Sequence, residues 1–220
     1  ELIQAVVAIE DRRFFEHPGV DFRGLLRAVV VNLRAGGIVQ GGSTLTQQLA
    51  KNLFLTPERS YQRKIKELLL ALALENRFDK DELLTIYLNR VYLGAGTYGV
   101  EAAAQRYFGI SAREVDTYQA AILAGLLRAP SRFNPDNSTE AAHNRAKTVL
   151  NAMAAAGFLS LNNAEGLAKT RRPGRGNEAR PRPQVQGQTR RYFADWVLER
   201  AAGYAGSRDT DLSVETTLDP

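Results

Sequence analysis

Apolar residues recur at helical spacing along most of the chain. Residues 1–9 are mostly apolar, which predicts a buried helix. Residues 22–34 predict a second helix, because their apolar side chains recur at the intervals of one helix face: Phe22, Leu25, Leu26, Val29, Val30 and Leu33. Strand-like alternation is confined to residues 212–218. The pattern therefore predicts a mainly α fold with a short α/β segment at its C-terminal end.

Capping and stop signals divide the remaining helices. Thr44 to Gln47 reads as a capping box that opens a helix, and Asp79 to Glu82 is a second cap signal. Gly109, Pro130 and Gly157 are predicted stops, and the glycine-rich stretch 36–42 is predicted to be a flexible loop. Further helices are predicted over residues 58–78, from 80 towards Gly94, and over about 98–108, 117–127, 139–156 and 161–169.

The composition of the chain changes after residue 169. Residues 1–169 form the predicted helical domain, whereas residues 170–191 are rich in Pro, Gly and Arg and predict a linker. A lone strand does not fold by itself, so residues 192–220 are expected to begin a further domain. The chain starts at Glu1 rather than Met, from which we expect an excised or processed fragment, which is compatible with a lost N-terminal anchor.

Composition and charge exclude several function classes. The 220 residues contain no Cys and 2 His, which excludes thiol nucleophiles, disulfides and multi-histidine metal sites. The formal net charge is +5, and residues 170–191 alone carry seven Arg against one Glu. The charge therefore lies in one tract, whereas a nucleic-acid-binding face spreads basic residues over a folded surface. No apolar run is long enough to span a bilayer, and no signal peptide is present.

Two glutamates in apolar surroundings are the candidate catalytic groups. Glu10 lies between Ala8-Ile9 and Phe14-Phe15, and Glu67 lies among leucines and isoleucine. Desolvation raises the pKa of a carboxylate, which suits it to acid–base catalysis. The alternative for each is an ordinary ion pair, of Glu10 with Arg12 or Arg13 and of Glu67 with Arg63.

Basic and polar residues on neighbouring predicted helices are the candidate anion ligands. Thr44, Gln48 and Lys51 share one helix face, and Arg63 and Lys64 follow on the next helix. Lysine and arginine together favour phosphate, and a solvated charged face is the alternative.

Five segments of the chain carry these residues, and together they form a specific pattern. Residues 10–19, 41–52, 63–67, 80–94 and 128–135 resemble, in this order, the signatures of the peptidoglycan glycosyltransferases (glycosyltransferase family 51). Residues 192–197 and 214–220 are similar to the connection into the transpeptidase domain of class A penicillin-binding proteins. No Ser is followed by Lys three residues later, so no acylation by penicillin is expected of this chain.

The resemblance implies a fold and a reaction. The implied fold is a lysozyme-like helical domain with a small membrane-facing lobe, for which Ile38, Leu53, Phe54 and Leu55 are candidates unless they belong to the core. The implied enzyme transfers a growing, lipid-diphosphate-linked glycan to the sugar 4-hydroxyl of lipid II. A β-1,4 bond forms with inversion in cell-wall synthesis.

The resemblance also implies roles for individual residues. Glu10 matches the general base, and Glu67, with Lys/Arg or a divalent ion, stabilises the diphosphate leaving group. The implied diphosphate clamp consists of Lys51, Arg63 and Lys64. The residues implied to line the donor side are Thr44, Gln48 and Asn52, and those implied to shape the pocket around Glu10 are Asp11, Phe14 and His17. Asp11 is expected to orient the loop rather than to react.

Cofactor, partners and location follow from the same resemblance. A divalent cation (Mg or Mn) and no organic cofactor are expected. The expected partners are lipid II, the nascent glycan strand, the membrane surface and other cell-wall synthesis proteins, but no nucleic acid. The expected location is the bacterial inner membrane, with the domain on the extracytoplasmic side. Two alternatives stay open: a lysozyme-type hydrolase, and a non-catalytic scaffold that holds anionic lipid or nucleic acid through its basic tract.

Overall fold

A computed structural model describes residues 1–37, 41–55 and 60–171 of the chain. Helices account for most of this part, and it contains no β-strand beyond one isolated bridge between Tyr92 and Tyr98. The predicted mainly α fold is therefore confirmed. The Pro/Gly/Arg-rich linker from residue 172 onward and the predicted α/β segment 192–220 lie outside the described residues.

The helices follow one another with short connections. They are α1 (Leu2–Glu10), α2 (Phe22–Ala35), α3 (Leu45–Phe54), α4 (Tyr61–Arg77), α5 (Lys80–Arg90), α6 (Val100–Phe108), α7 (Thr117–Leu126), α8 (Pro130–Phe133), α9 (Thr139–Ala155) and α10 (Leu161–Thr170). A 3₁₀ turn, Phe14–Glu16, lies between α1 and α2.

Most predicted boundaries agree with these bounds, and the exceptions have local causes. The helix predicted from residue 58 begins after Ser60, whose side chain caps it. The helix predicted to run towards Gly94 ends at Arg90. Pro130 was predicted as a stop, yet it opens α8 from the first helical turn, where its missing N–H costs nothing.

The core is built around α7. From Tyr118 to Leu126, nearly all of this helix is buried, which is possible because it is apolar on every side. Helices α1 and α9 pack against α7, and α10 packs against α9. Helix α3 lies against α4 and α5. The start of α3 is stabilised by the predicted capping box, in which Thr44 and Gln47 exchange side-chain and backbone hydrogen bonds.

Helix α2 presents most of its apolar side chains to solvent. Phe22, Leu26 and Leu33 are 73%, 67% and 76% exposed, whereas Gly24 and Ala28 are buried. The helical periodicity of residues 22–34 was thus predicted correctly. What periodicity could not show is that the apolar face points away from the core. No helix within the described ranges is both long and apolar enough to cross a membrane.

Candidate active site

A cavity of about 650 Å³ opens at the C-terminal end of α1. Glu10, the last residue of α1, lines it and is half-buried rather than fully buried as its apolar neighbours suggested. The remaining walls come from the residues after Glu10, from the start of α2, from the segment before α3 and α3 itself, and from the α7–α8 connection and α9. They include Gly41, Gly42, Ser43, Thr44, Gln48, Arg128, Arg145 and Thr148.

Two polar side chains orient the Glu10 carboxylate. Gln48 Nε2 donates a hydrogen bond to Glu10 Oε2 at 2.9 Å, and the Tyr87 hydroxyl donates to Gln48 Oε1 at 3.1 Å. Burial, and secondly the charge of Glu10, raise the pKa of Tyr87 well above its usual value. The Tyr87 hydroxyl, a donor at neutral pH like any phenol, therefore keeps its proton further into the alkaline range. Within the described residues, Glu10 Oε1 has no hydrogen-bond partner, so it is available to a ligand.

The predicted residues around Glu10 mostly build the scaffold beneath it. Asp11 is buried, and its carboxylate contacts His17 Nε2 at 3.0 and 3.1 Å and accepts from the Leu45 N–H at 3.0 Å. Thr44 donates to the Gly19 carbonyl at 2.6 Å. These bonds tie the loop after α1 to the start of α3. They fix Gln48 relative to Glu10, as expected of an orienting Asp11.

Phe14 and His17 lie under this loop and do not line the cavity. Phe14 is 1% exposed and packs edge-on against Phe15 and His17. The ammonium of Lys80 lies 4.4 Å from the centroid of the Phe14 ring and donates to the His17 carbonyl at 2.7 Å. Both residues therefore shape the site from beneath, through the backbone that carries Glu10 and Asp11.

The second glutamate is connected to the cavity through a lysine. Glu67 is 3% exposed on α4 and forms an ion pair with Lys64, not with Arg63 as the spacing of four residues suggested. The same Lys64 ammonium donates to Ser43 Oγ at 2.9 Å, and Ser43 lines the Glu10 cavity. Lys64 thus connects a buried carboxylate to the edge of the cavity.

The other predicted anion ligands lie outside the lining of this cavity. Lys51 is half-buried in the last turn of α3, and Asn52 is exposed beside it. Arg63 is half-buried, and its Nε is a buried nitrogen without a hydrogen-bond partner within the described ranges. The arrangement brings Glu10, Asp11, Thr44 and Gln48 to one cavity, whereas Lys51, Asn52 and Arg63 do not line it.

Four arginines line the cavity and supply its positive charge: Arg12, Arg27, Arg128 and Arg145. The sequence analysis named Arg12 only as a candidate ion-pair partner of Glu10 and did not assign the other three to the site. Arg145 is 8% exposed. Burial lowers its pKa, and the charge of Glu10 acts in the opposite direction. A signal existed, since Arg145 shares the buried stripe of α9 with Ala142, Ala146 and Val149. A charged residue on an apolar helix face is a reason to look for a function.

The described side chains do not form a metal site by themselves. Within residues 1–37, 41–55 and 60–171, no three His, Asp or Glu side chains converge as ligands. Glu67 offers a single carboxylate, and Lys64 already pairs with it. Mg²⁺ is commonly bound by one or two carboxylates together with substrate phosphates.

Comparison with known proteins places these residues in a family. A family model described as Transglycosylase matches residues 1–154. The chain is 44% identical over 225 residues to penicillin-binding protein 1A of Aquifex aeolicus, covering 99% of this chain and 29% of that protein. It is 49% identical over 160 residues to penicillin-binding protein 1A of Escherichia coli, covering 73% of this chain and 19% of that protein. The chain thus spans less than a third of either relative.

A solved structure also matches. The crystal structure of penicillin-binding protein 1A from Haemophilus influenzae aligns with 75% of this chain and 20% of its own, at 27% identity and a TM-score of 0.40.

Proposed function

The chain belongs to the transglycosylase family, and from this membership we propose that it polymerises the glycan strands of peptidoglycan. The donor is a growing glycan joined to a lipid through a diphosphate, and the acceptor is the sugar 4-hydroxyl of lipid II. Attack by this hydroxyl on the anomeric carbon forms a β-1,4 bond with inversion. The bond from that carbon to the diphosphate breaks, and the diphosphate keeps the electron pair.

Glu10 is the general base of this proposal. The observation that carries it is a half-buried carboxylate at a cavity wall, with Oε2 held by Gln48 and Oε1 unbonded among the described residues. Such a carboxylate takes a proton from a hydroxyl at hydrogen-bond distance without first rotating. The Tyr87–Gln48 bond restricts Gln48, so the position of Oε1 is set before substrate binds.

Lys64, which Glu67 holds in position, stabilises the negative charge that develops on the leaving diphosphate. The Lys64 side chain is 49% exposed, so its ammonium is accessible at the edge of the cavity. Glu67, nearly inaccessible, holds that ammonium in place. Lys51 of α3 and Arg63 of α4 add positive charge on the two helices, and Asn52 follows Lys51 on α3. A fixed cation stabilises a developing anion without reorganisation during the reaction.

The divalent cation stays a prediction. Glu67 would hold it, and it would supply positive charge that stabilises the leaving diphosphate. Lys64 already forms an ion pair with Glu67. We therefore assign the stabilisation of the negative charge on the leaving diphosphate to Lys64 and the neighbouring basic residues.

The exposed apolar face of α2 is the proposed contact with the membrane. Leu25, Leu26 and Val29 are 47%, 67% and 47% exposed on it, and Arg27 of the same helix lines the Glu10 cavity. A lipid surface would cover this face and bring lipid-linked substrates beside Glu10. Of the earlier candidates, Phe54 is 57% exposed, Leu53 and Leu55 are half-buried, and Ile38 lies outside the described residues. The bacterial inner membrane, on its extracytoplasmic side, is the proposed location.

Product analysis on gels with purified lipid II tests this function. We expect wild-type protein to form glycan strands and Glu10→Gln to polymerise about 10²- to 10⁴-fold more slowly, the usual effect of a lost general base. Glu16→Gln is the matched control, because Glu16 is exposed on the same loop. Near-wild-type turnover of Glu10→Gln would refute the assignment of the base. Degradation of finished glycan strands, with lipid II unchanged, would instead indicate the lysozyme-type hydrolase.

A further inference from the structure

We propose that Arg145 and Arg128 form an anion-binding subsite in the Glu10 cavity, which holds a phosphate or carboxylate group of the acceptor substrate. The inference rests on the proposed function, because it assumes that the acceptor enters this cavity. It assigns an anionic ligand to the wall of the cavity that α9 and the α7–α8 connection form. This wall is separate in sequence from the Lys64–Glu67 side.

The fold makes room for Arg145 at a cost to helix α7. Gly125 lies inside α7, and a Cβ at this position would stand 2.9 Å from Arg145 Cγ. Glycine within a helix is destabilising relative to alanine, so its presence needs a reason. Arg145 Nε donates to the carbonyl of Gly125 at 3.4 Å, and its guanidinium lies 5.8 Å from the Phe133 ring centroid. The arginine is therefore positioned by both neighbours.

The guanidinium of Arg145 has more donors than partners. It carries five N–H groups, and the bond to Gly125 uses one of them. Within the described residues, neither Arg145 nor Arg128 forms an ion pair, although Arg145 is 8% exposed. Burial lowers the pKa of Arg145, the charge of Glu10 across the cavity raises it, and the charge of Arg128 lowers it further. Buried charges are normally paired, so an anion from outside would complete this site.

Chemistry limits the class of ligand. A guanidinium binds two oxygens of a phosphate or carboxylate side by side, which a sugar hydroxyl does not offer. The ligand must also tolerate Glu10, a negative charge in the same cavity. An acceptor with its hydroxyl towards Glu10 and its anion towards Arg145 meets both conditions. Lipid II has two such groups, its diphosphate and the carboxylates of its stem peptide.

Calorimetric titration of the whole chain distinguishes these sources. The probes are inorganic pyrophosphate and the dipeptide D-alanyl-D-alanine, each added to wild type, Arg145→Gln, Arg128→Gln and Arg132→Gln. Arg132 is the matched control, because it contacts the same Phe133 ring, at 5.5 Å, but does not line the cavity. Loss of a charge-assisted hydrogen bond predicts about 10- to 100-fold weaker binding in the Arg145 and Arg128 variants.

The outcomes separate the inference from the proposed function. Weaker pyrophosphate binding assigns the site to the diphosphate, and weaker dipeptide binding assigns it to the stem peptide. Binding of both probes that is unchanged in Arg145→Gln and Arg128→Gln, or absent from wild type, would overturn the inference. Arg128 is exposed, so Arg128→Gln tests the site even where Arg145→Gln fails to fold. In kinetics we expect the KM for lipid II to rise more than kcat falls. A wild type that polymerises no lipid II would refute the proposed function, whatever the titrations show.

Discussion

Replacing Lys80 with Met should destabilise the fold far more than replacing an exposed lysine of equal charge. The Lys80 ammonium donates to Glu75 Oε1 and to the His17 carbonyl, each at 2.7 Å, and lies 4.4 Å from the Phe14 ring centroid. The same Glu75 oxygen accepts from the Thr46 hydroxyl at 2.5 Å. The cluster joins α3, α4 and α5 to the loop that follows Glu10.

The size of the effect follows from burial. The Lys80 and Glu75 side chains are 22% and 9% exposed, so the pair lies between a surface bridge and a fully buried one. Surface pairs contribute about 0–1 kcal/mol, whereas removing one partner of a buried pair costs about 3–5 kcal/mol. We therefore expect Lys80→Met to lower the free energy of unfolding by about 2–3 kcal/mol. The remaining Thr46 bond keeps Glu75 partly satisfied.

Urea unfolding, with a double-mutant cycle, measures this quantity. The double variant Lys80→Met/Glu75→Gln should lose less than the sum of the two single changes, because neither partner is then left charged and unpaired. Lys169→Met is the control: its pair with Glu165 is 77% and 63% exposed, so we expect a loss under about 0.5 kcal/mol. Equal losses for Lys80→Met and Lys169→Met, or strictly additive single variants, would contradict the reasoning.

Three further changes test other parts of the structure. Burial raises the pKa of Tyr107 from 10.0 to about 12, so the free energy of unfolding should fall as pH rises through this window, and a Tyr107→Phe variant should show a smaller fall in urea titrations. Gly94→Ala should lower the urea midpoint of unfolding more than Gly96→Ala. Both glycines have a positive φ, but of the two only Gly94 has neighbouring atoms in the space that a Cβ would take. Tyr87→Phe should reduce kcat for lipid II about 10-fold with little change in KM, because Gln48 loses its donor; an unchanged kcat would refute the orienting role.

Much of the helical fold could be predicted from the sequence because its signals are local. The capping box at Thr44 and the cap at Asp79 depend on residues three apart, and the structure confirms both. Apolar patterning likewise located α1 and α2, and stop signals located α9, to within one or two residues. The family resemblance rested on contiguous segments, and the match of a Transglycosylase model to residues 1–154 confirms it.

The sequence did not predict which way a helix face points, because this direction is not a local property. The apolar stripe of α2 resembles that of any buried helix, yet Leu26 and Leu33 are exposed because no element of the described part of the chain covers them. The partner of Glu67 is a similar case. Spacing allows Arg63 at i−4 or Lys64 at i−3, and the choice of Lys64 coincides with a hydrogen bond from its ammonium to Ser43, outside the helix.

The helices, their caps and the family could be predicted from the sequence alone, since each depends on neighbours along the chain. The roles of Glu10 and Glu67 stay predictions. Tertiary packing alone brought Gln48 to Glu10, at a separation of 38 residues, and aligned Gly125 with Arg145, at a separation of 20. The physical reason is that a side chain's charge and hydrogen bonds depend on what surrounds it in space. Whether an arginine on a helix is solvated or buried beside a carboxylate is settled only when distant segments pack together.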